Sequence, residues 1–477
     1  MVLHLTFDAM KKNISIKSLL LLLGGYLLFS LGCKKESFIT SKDAYIRLSE
    51  DTLHFDTVFT VLGSTTQYLK LFNANDKKLK ISSLELMGGA ASFFKLNVDG
   101  ISGTNFTNLE LEANDSLYLF ATVKINPTIA NLPFLVRDSV KIEFNGNTKW
   151  LQLQAYGKNA RFMRGYTITK DSTLKSDLPI VILDSLTVKE GATLTIEKGA
   201  NLFIHPNAAI IIKGSLIAIG DTSNKIVFQG IRIDEPYKNY PGGWPGIYFA
   251  PSSKNNVLKY CVLKNAYQGV ALDNPSTNTK LKLVLEQCIL DNIFDKAIVC
   301  SNSSFSATNC LISNVGFGLY IVSGGNYILN HCTFFSTSNA FLSHKESLIT
   351  LSNTNADKTN SNQLNLTINN SIIYGDGGFV EDEIAVPLKS SVSFSAVMNN
   401  VVYKQKTVLN DVVFNQSYKN INPLFDSIDV SRRYYSFRLK NGSPCINAAT
   451  NLPVVNIDLD GRLRLDGMPD IGCYEKQ

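Results

Sequence analysis

The sequence of 477 residues predicts an all-β protein, in which an antiparallel β-sandwich of immunoglobulin type is followed by a parallel β-helix. Three features predict this class: short alternating strands in the first third, an eight-residue apolar repeat in the middle, and a recurring cysteine with an asparagine four residues later. The chain is too long for one ordinary globular core. Its 45% hydrophobic and 18% charged residues are typical of a folded protein.

The amino terminus is predicted to be a signal peptide of residues 1–32. Lysines 11, 12 and 17 precede an apolar run, which is short for a membrane span, and small residues precede Cys33. The ending "SLGC" resembles a bacterial lipobox, which implies that Cys33 is lipidated and that its acyl chain attaches the mature protein to a membrane. The alternative is an ordinary cleaved signal in which Cys33 has no such role. We expect residues 33–44 to be a tether, and the absence of an aspartate after Cys33 favours the outer membrane.

Residues 45–160 are predicted to form the β-sandwich. Segments such as "TTQYLKLFN" (65–73) and "KWLQLQAYG" (149–157) alternate β-forming residues, and Asn, Asp or Gly bound them. Their regular spacing, without helical periodicity, favours two antiparallel sheets, and we assign Trp150 to the core between them. The stretch also resembles the amino-terminal domain of many Bacteroidetes surface lipoproteins, through "FDTVFT" (55–60) and "ANDSLYLFATV" (113–123).

Residues 161–440 are predicted to form the β-helix. The repeat "LTVKEGAT", which begins at Leu186, continues in register as "LTIEKGAN", "LFIHPNAA" and "IIIKGSLI". Its first and third positions are apolar, as in a short strand with one buried face, and its sixth holds Gly191, Gly199 and Asn207. Glycine or asparagine there supplies the left-handed backbone of a corner. Three such units make one coil.

A column of cysteines is predicted to mark consecutive coils. The cysteines recur at intervals of 27, 22 and 22 residues, and they are Cys261, Cys288, Cys310 and Cys332. Equivalent residues of a parallel β-helix stack about 4.8 Å apart, so these thiols fill an interior column as small apolar groups. The asparagines four residues later are expected to stack at a corner and to satisfy one another's amide groups; they are Asn265, Asn292 and Asn314. Seven residues further on, the next inward column is expected to contain Leu272, Val299 and Ile321.

Residues 441–477 are predicted to close the far end of the β-helix. With the repeat, "GGWPGIYF" (242–249) and "PDIGCYE" (469–475) resemble right-handed parallel β-helix lipoproteins of Bacteroidetes, which have a pectate-lyase-like fold. This resemblance implies a right-handed helix and no particular activity, because the fold carries lyases, hydrolases and adhesins. Whether Cys445 and Cys473 form a disulfide is left open, as is the state of Cys300.

The predicted binding site is the insertion "DEPYKNYPGGWPG", residues 234–246. It interrupts the repeat with Tyr237, Tyr240 and Trp244, whose flat rings suit the faces of sugars. The alternative is that Trp244 packs over the start of the next coil.

We expect a lipid-anchored protein of the cell envelope, facing the periplasm or the outside, that binds glycan or another surface component along the β-helix without catalysis. The alternatives are a polysaccharide lyase or a glycoside hydrolase acting on a polyanionic polysaccharide, and a structural spacer. No catalytic residue is assigned, since Lys259 and Glu286 on one outward column and Asp291 and Asp295 near one corner match no complete catalytic set.

Two partners are expected, and the net charge and the spacing of the histidines argue against others. The membrane is one, through the acyl anchor, and a polysaccharide or another surface protein is the second. The formal charge of +6 becomes +4 when residues 1–32, with three lysines and one aspartate, are removed, and this is too small for a nucleic-acid partner on so large a surface. We expect a monomer. The five histidines have no metal-ligand spacing, and no cofactor is expected; calcium is a candidate only if the protein is a lyase.

Overall fold

The structure is a computed structural model that describes residues 37–126, 134–452, 455–464 and 468–476. The signal peptide and the lipidation site Cys33 therefore lie outside the described residues. The described chain divides into two compact units. Unit 1 contains residues 37–126 and 134–157, and unit 2 begins at residue 158.

Unit 1 is made of two antiparallel five-stranded sheets, in the strand orders β1-β3-β8-β5-β6 and β2-β10-β9-β4-β7. Their strands are β1 (Ile46–Leu48), β2 (Thr52–Phe59), β3 (Gln67–Asn73), β4 (Leu79–Leu86), β5 (Phe94–Val98), β6 (Ile101–Gly103), β7 (Asn105–Leu111), β8 (Ser116–Val123), β9 (Phe134–Phe144) and β10 (Asn147–Lys158). Alternate side chains, such as Leu69 and Leu71 of β3, are buried in one core that draws on both sheets.

Two predictions for unit 1 need correction. Trp150 was assigned to the core, but it is 44% exposed, because it occupies the outward phase of β10, on which Leu151 and Leu153 are buried. Residues 33–44 were predicted to be a tether, but from Phe38 onward this segment is attached to unit 1. Phe38 pairs with Lys78, and the Asn145 side-chain amide donates to the Ile39 carbonyl at 2.9 Å.

Unit 2 contains a right-handed β-helix region, in which 24 strands of the described chain form a continuous parallel sheet wound into coils. The strands are β11 (Arg161–Ile168), β12 (Ser172–Leu174), β13 (Ile180–Val188), β14 (Thr193–Ile196), β15 (Asn201–Ile204), β16 (Ala209–Ile212), β17 (Ser215–Ile219), β18 (Ile226–Gly230), β19 (Ile247–Phe249), β20 (Asn256–Lys259), β21 (Cys261–Lys264), β22 (Val270–Asp273), β23 (Leu283–Glu286), β24 (Ile289–Thr308), β25 (Leu311–Asn330), β26 (Thr333–Thr337), β27 (Ile349–Ser352), β28 (Leu364–Asn369), β29 (Ile372–Asp376), β30 (Ile384–Leu388), β31 (Phe394–Asn399), β32 (Val402–Tyr403), β33 (Val413–Asn415) and β34 (Tyr418–Lys419). A hairpin of β35 (Phe425–Asp429) and β36 (Tyr434–Leu439) follows.

The coils follow the eight-residue repeat where it was read. Leu186 pairs with Ile210, three units later, and Leu194 pairs with Leu216. Gly191 and Gly199 have φ values of 82° and 79°, the left-handed backbone that a corner requires. Asn207 is not among the positive-φ residues; its backbone amide instead donates to Nδ1 of His205 at 3.3 Å.

The interior columns lie along the axis of the coils. Leu263 pairs with Leu290, Leu290 with Ile312, and Ile312 with Phe334, and each of these side chains is buried. The cysteine two residues before each of these four side chains is also buried, as a free thiol. The cysteine column ends at Cys332. In the next coil Ser371 lies beside it, and the Cys332 backbone N–H donates to the Ser371 hydroxyl at 3.0 Å.

One predicted inward column is wrong by one residue. Cys300, not Val299, is the buried residue that lies between Leu272 and Ile321 in the ladder. The register of β24 shifts between Ile293 and Lys296, which inserts one residue after the corner.

The chain after the hairpin lies along a side of the β-helix, not over its end. The described residues of 443–476, here called the C-terminal segment, bury Leu459, Ile471 and Cys473 in an apolar cluster with Phe335 and Ile372 of the coils. The end-closing prediction is therefore wrong. The physical reason is that several outward side chains of neighbouring coils, such as Phe335 and Ile372, are apolar, and the C-terminal segment shields them from water.

Helix is almost absent from the described residues, which contain the short 3₁₀ turns Gly89–Ala91 and Tyr237–Asn239. In this part of the chain no helix has the length and apolar character that a membrane crossing requires.

Candidate functional site

The insertion of residues 234–246, here called the aromatic loop, leaves the coil between β18 and β19. Tyr237 and Tyr240 are 44% and 37% exposed, and their rings meet edge to face with centroids 5.3 Å apart. The Arg232 guanidinium lies 3.7 Å from the Tyr237 ring centroid and binds the Asp234 carboxylate through two hydrogen bonds of 2.7 Å. Two of the three predicted binding rings are thus accessible.

Trp244 is not available to a ligand. Its side chain is 0% exposed, and its indole N–H donates to the Lys264 carbonyl at 2.9 Å. A buried tryptophan requires such an acceptor for its polar end. The packing alternative for Trp244 therefore holds, and its prediction as a binding residue is corrected.

The predicted asparagine column holds the aromatic loop against the coils. Asn265, Asn292 and Asn314 all have the left-handed backbone, with φ values of 61°, 56° and 53°. Asn265 donates to the Lys238 carbonyl at 2.7 Å, and Asn292 donates to the Asn239 carbonyl at 3.0 Å. Mutual stacking is limited to one hydrogen bond, from Asn292 to the Asn265 side-chain oxygen at 2.8 Å. Asn314 donates instead to the Asp291 carboxylate.

Arg433, in the turn of the C-terminal hairpin, joins the aromatic loop to the hairpin. Its Nη2 donates to the Asn239 carbonyl at 3.1 Å, and its guanidinium carbon lies 4.6 Å from the Phe341 ring centroid. Phe341 in turn contacts Tyr240, with ring centroids 4.7 Å apart. Tyr237, Tyr240, Phe341 and Arg433 therefore form one continuous surface.

Beside this surface lies a cavity of about 460 Å³, here called the flank cavity. Its floor is the outward face of β21, β24 and β25, and its wall is the C-terminal hairpin with Tyr474. The lining residues are Val262, Lys264, Ile289, Asp291, Leu311, Ser313, Asn314, Arg433, Tyr434, Tyr435, Ser436, Phe437, Arg438 and Tyr474. The volume is within the range of small-ligand sites.

The charges of the flank cavity are unequal. Asp291 is the single carboxylate among the described lining residues, against Lys264, Arg433 and Arg438. Burial raises the pKa of Asp291, and hydrogen bonds of 2.7 Å from Ser313 and 2.8 Å from Asn314 oppose that rise. The cavity is therefore cationic whenever Asp291 is protonated, and it carries a net positive charge even when Asp291 is ionised.

Both arginines have unused hydrogen-bonding capacity. Within the described residues, the buried Nη1 atoms of Arg433 and Arg438 have no hydrogen-bond partner. Arg438 otherwise pairs with Asp460 and lies 4.6 Å from the Tyr474 ring centroid. A buried donor without an acceptor costs free energy.

The other charged residues weighed in the sequence do not join this cavity. Asp295 lies on the other side of the Asn292 corner, paired with Lys296 at 2.8 Å. Lys259 and Glu286 pair with each other at 2.7 Å on a partly exposed outward column. In the part of the chain that the structure describes, no group of three or more His, Cys, Asp or Glu residues could hold a metal ion.

Three cysteines whose state the sequence left open are buried and carry no activation. Cys300, Cys445 and Cys473 are free thiols, and burial raises the pKa of Cys445 and of Cys473 to about 12. Burial also raises the pKa of Cys300. A thiol that resists ionisation is a poor nucleophile and a poor metal ligand.

Sequence reasoning missed Arg433, Tyr435 and Arg438. The stretch "SRRYYSFRLK" (431–440) does carry a signal, because basic and aromatic residues alternate in it. That pattern alone did not show that the segment folds back over coils some 120 to 190 residues earlier in the chain.

Comparison with known proteins supports the fold. The family described as "Right handed beta helix region" matches residues 180–334. No curated protein matches the chain.

The similar solved structures include a family 123 glycoside hydrolase from Clostridium perfringens, at 10% identity over 26% of this chain and 26% of that chain, with a TM-score of 0.18. The chain thus spans about a quarter of that protein. The catalytic domain of a GH87 alpha-1,3-glucanase in complex with nigerose is 9% identical over 75% of this chain and 88% of that chain, with a TM-score of 0.29. The catalytic unit of a thermostable GH87 alpha-1,3-glucanase from Streptomyces thermodiastaticus strain HF3-3 is 9% identical over 74% and 88%, with a TM-score of 0.17. Similarities this low carry no argument about activity.

Proposed function

We propose that the protein is a lipid-anchored component of the outer membrane that binds an anionic glycan in the flank cavity, without catalysis. The observation that carries this proposal is the lining of the cavity, in which Lys264, Arg433 and Arg438 stand against one described carboxylate, Asp291, beside aromatic rings. A guanidinium binds carboxylate or sulfate oxygens in a fork geometry, and neighbouring ring faces accept the C–H faces of sugars.

The aromatic loop extends this site. Tyr237 and Tyr240 are accessible, and contacts through Phe341 lead from them to Arg433. A glycan longer than one sugar would then place its acidic unit against Arg433 and a neighbouring unit on Tyr240. Unit 1, proposed to be an immunoglobulin-like sandwich, and an acyl chain on Cys33 would hold this site at the membrane.

The test is calorimetric titration of the mature chain with oligogalacturonate and with a neutral glucan of similar length. Arg433→Gln is expected to weaken oligogalacturonate binding at least tenfold, since it removes a charge-assisted contact. The matched control is Arg432→Gln, because Arg432 is the adjacent arginine and its side chain is 84% exposed. Equal affinities of the two variants, or equal binding of the neutral glucan, would refute an anion site at Arg433.

A glycan-degrading activity is the second candidate. Hydrolysis needs two carboxyl groups, and the flank cavity offers Asp291 alone among its described lining residues. β-Elimination fits better, because arginines can neutralise the sugar carboxylate while the neutral amine of Lys264 takes the C5 proton. The C4–C5 double bond then forms as the C4–O bond breaks, and the leaving sugar takes up a proton from water. If the protein released unsaturated product from polygalacturonate, and Lys264→Gln abolished that release, the protein would be a lyase and the proposal of binding without catalysis would be wrong.

The anchor has a separate test. Mass spectrometry of the amino-terminal peptide of membrane-extracted protein is expected to find an acylated Cys33, and Cys33→Ser is expected to release the protein from the membrane fraction. An unmodified Cys33 would contradict the anchor and would leave the glycan site untouched.

A further inference from the structure

The outward face of the sheet β1-β3-β8-β5-β6 in unit 1 is built from aromatic rings and cations. Tyr68 lies opposite Phe120 and Lys70 opposite Tyr118, on adjacent strands β3 and β8. The residues between them, such as Leu69 and Leu119, are buried, so these four side chains share the solvent side. We call this surface the ring face.

The rings of this surface lie side by side. Centroid separations are 5.7 Å for Tyr68 and Tyr118, 6.2 Å for Tyr68 and Phe120, and 5.8 Å for Tyr118 and Phe120. The planes of the last pair differ by 10°. Tyr68 and Tyr118 are 57% and 40% exposed, so these adjacent rings form an accessible apolar patch.

Cations flank the rings. The Lys70 ammonium lies 4.7 Å from the Tyr118 ring centroid, and the Arg47 guanidinium carbon lies 4.1 Å from that of Phe72. Lys95 lies on β5, opposite Thr122. None of the five strands of this sheet contains Asp or Glu within its described bounds.

The other sheet of unit 1 differs in this respect. Its strands carry carboxylates, among them Asp56, Asp138 and Glu143. Its exposed rings include Trp150 and Tyr156. That sheet also carries cations, among them Lys80 and Lys141, so its charges are mixed, whereas the strands of the ring face carry cations and no carboxylate. This difference favours anions on the ring face.

We propose that the ring face is a second binding site, for an anionic polysaccharide that lies flat across the strands. Sugar rings stack on Tyr68, Tyr118 and Phe120, while carboxylate or sulfate groups meet Lys70 and Arg47. Asn97, whose side-chain amide donates to the Ser102 hydroxyl at 3.2 Å, offers hydrogen bonds to sugar hydroxyls at the edge of the face. The site is in unit 1 and does not depend on the flank cavity.

The experiment is titration of the mature protein, in the Arg433→Gln background, with heparin and with polygalacturonate. This background removes the expected contribution of the flank cavity, so failure of either site is seen separately. Tyr68→Ala combined with Tyr118→Ala is expected to weaken the remaining binding at least tenfold. Lys70→Gln is expected to weaken it severalfold and to reduce its dependence on salt concentration.

The matched control is Trp150→Ala combined with Tyr156→Ala, which removes two exposed rings from the opposite sheet of the same unit. It is expected to leave binding unchanged. Equal losses in the two double variants would overturn the proposal. So would the absence of polysaccharide binding, or binding of anionic phospholipid vesicles in its place, which would assign the ring face to a membrane surface. Thermal melts establish that each variant is folded.

Discussion

Two corner columns of the β-helix have the same backbone and different roles. The loop-side corner contains Asn265, Asn292 and Asn314, and the segment-side corner contains Asn309, His331, Asn370 and Asn400, all with left-handed φ between 51° and 61°. At the loop-side corner, Asn265 and Asn292 hold the aromatic loop, which is partly exposed. The segment-side side chains are buried under the C-terminal segment. Each corner needs a residue that tolerates positive φ, but the segment packed over the corner determines which hydrogen bonds its side chain makes.

The segment-side contacts are the denser set. Asn370 donates to the Thr450 carbonyl at 2.8 Å and accepts from the Thr450 amide at 3.0 Å. Asn309 donates to the Ile457 carbonyl at 2.8 Å and accepts from Arg464 at 2.9 Å. Arg464 and Glu475 form an ion pair of 2.7 Å with both side chains almost fully buried. We infer that breaking this corner costs more stability than breaking the loop-side corner.

The largest expected effect is that of Arg464→Ala. It leaves Glu475 as a buried charge without its cation, which costs about 3–5 kcal/mol of unfolding free energy. Urea unfolding measures the loss, and limited proteolysis is expected to cut the C-terminal segment first. Arg462→Ala, a partly exposed arginine two residues earlier, is the control; a loss as large in that variant would remove the special role of the ion pair.

A direct comparison of the corners is Asn370→Gly against Asn292→Gly. Glycine keeps the left-handed backbone, so each variant reports the side-chain hydrogen bonds. Asn370→Gly is expected to cost about 2–3 kcal/mol, since it also leaves the Thr450 amide and carbonyl without partners. Chemical denaturation gives the values. If the two variants lose equal stability, the segment-side corner is not the tighter one.

Acid is expected to weaken the segment-side corner. His331 accepts from Asn370 through Nε2 and donates through Nδ1 to the Asp470 carbonyl, an arrangement that needs a neutral ring. Burial, with the nearby Arg464 charge, lowers the pKa of His331 to about 3 from 6.5. Its contribution is therefore complete above pH 6.5 and is lost as the pH falls towards 3, amounting to about 2 kcal/mol between pH 7 and pH 5.

His331→Asn is the control for this pH effect, because asparagine occupies the equivalent corner position in neighbouring coils. That variant is expected to lose the part of the acid dependence that His331 contributes. The unfolding free energy as a function of pH measures it. Identical slopes in the two proteins would mean that other groups cause the acid sensitivity.

The smallest effect is expected for Asn292→Gly at the loop-side corner. It removes two donated hydrogen bonds, to Asn239 and Asn265, which are only partly buried, and should cost about 1 kcal/mol. Its sharper readout is binding, because a displaced Asn239 carbonyl would shift Arg433. We expect a several-fold weaker affinity for oligogalacturonate. An unchanged affinity would mean that the aromatic loop does not influence binding in the flank cavity.

The coils could be read from the sequence because equivalent residues recur at nearly constant intervals. Cys288, Cys310 and Cys332 lie 22 residues apart, and stacking makes each coil impose the same demand on its neighbours. The one-residue error at Val299 arose where β24 contains an extra residue, which periodicity does not reveal. The segment-side corner was missed because Tyr260, Gln287, Asn309 and His331 share a backbone conformation and no common side chain.

By itself, the amino-acid sequence determined the coil period, the inward columns and the places where glycine or asparagine turns the chain, since these follow from interactions between successive coils. Only the tertiary structure decided which side of the β-helix the last residues cover. That choice brings Arg433 and Arg438 over Asp291 and leaves Tyr237 and Tyr240 accessible. The reason is that these contacts join segments far apart in the chain, and no local repeat encodes them.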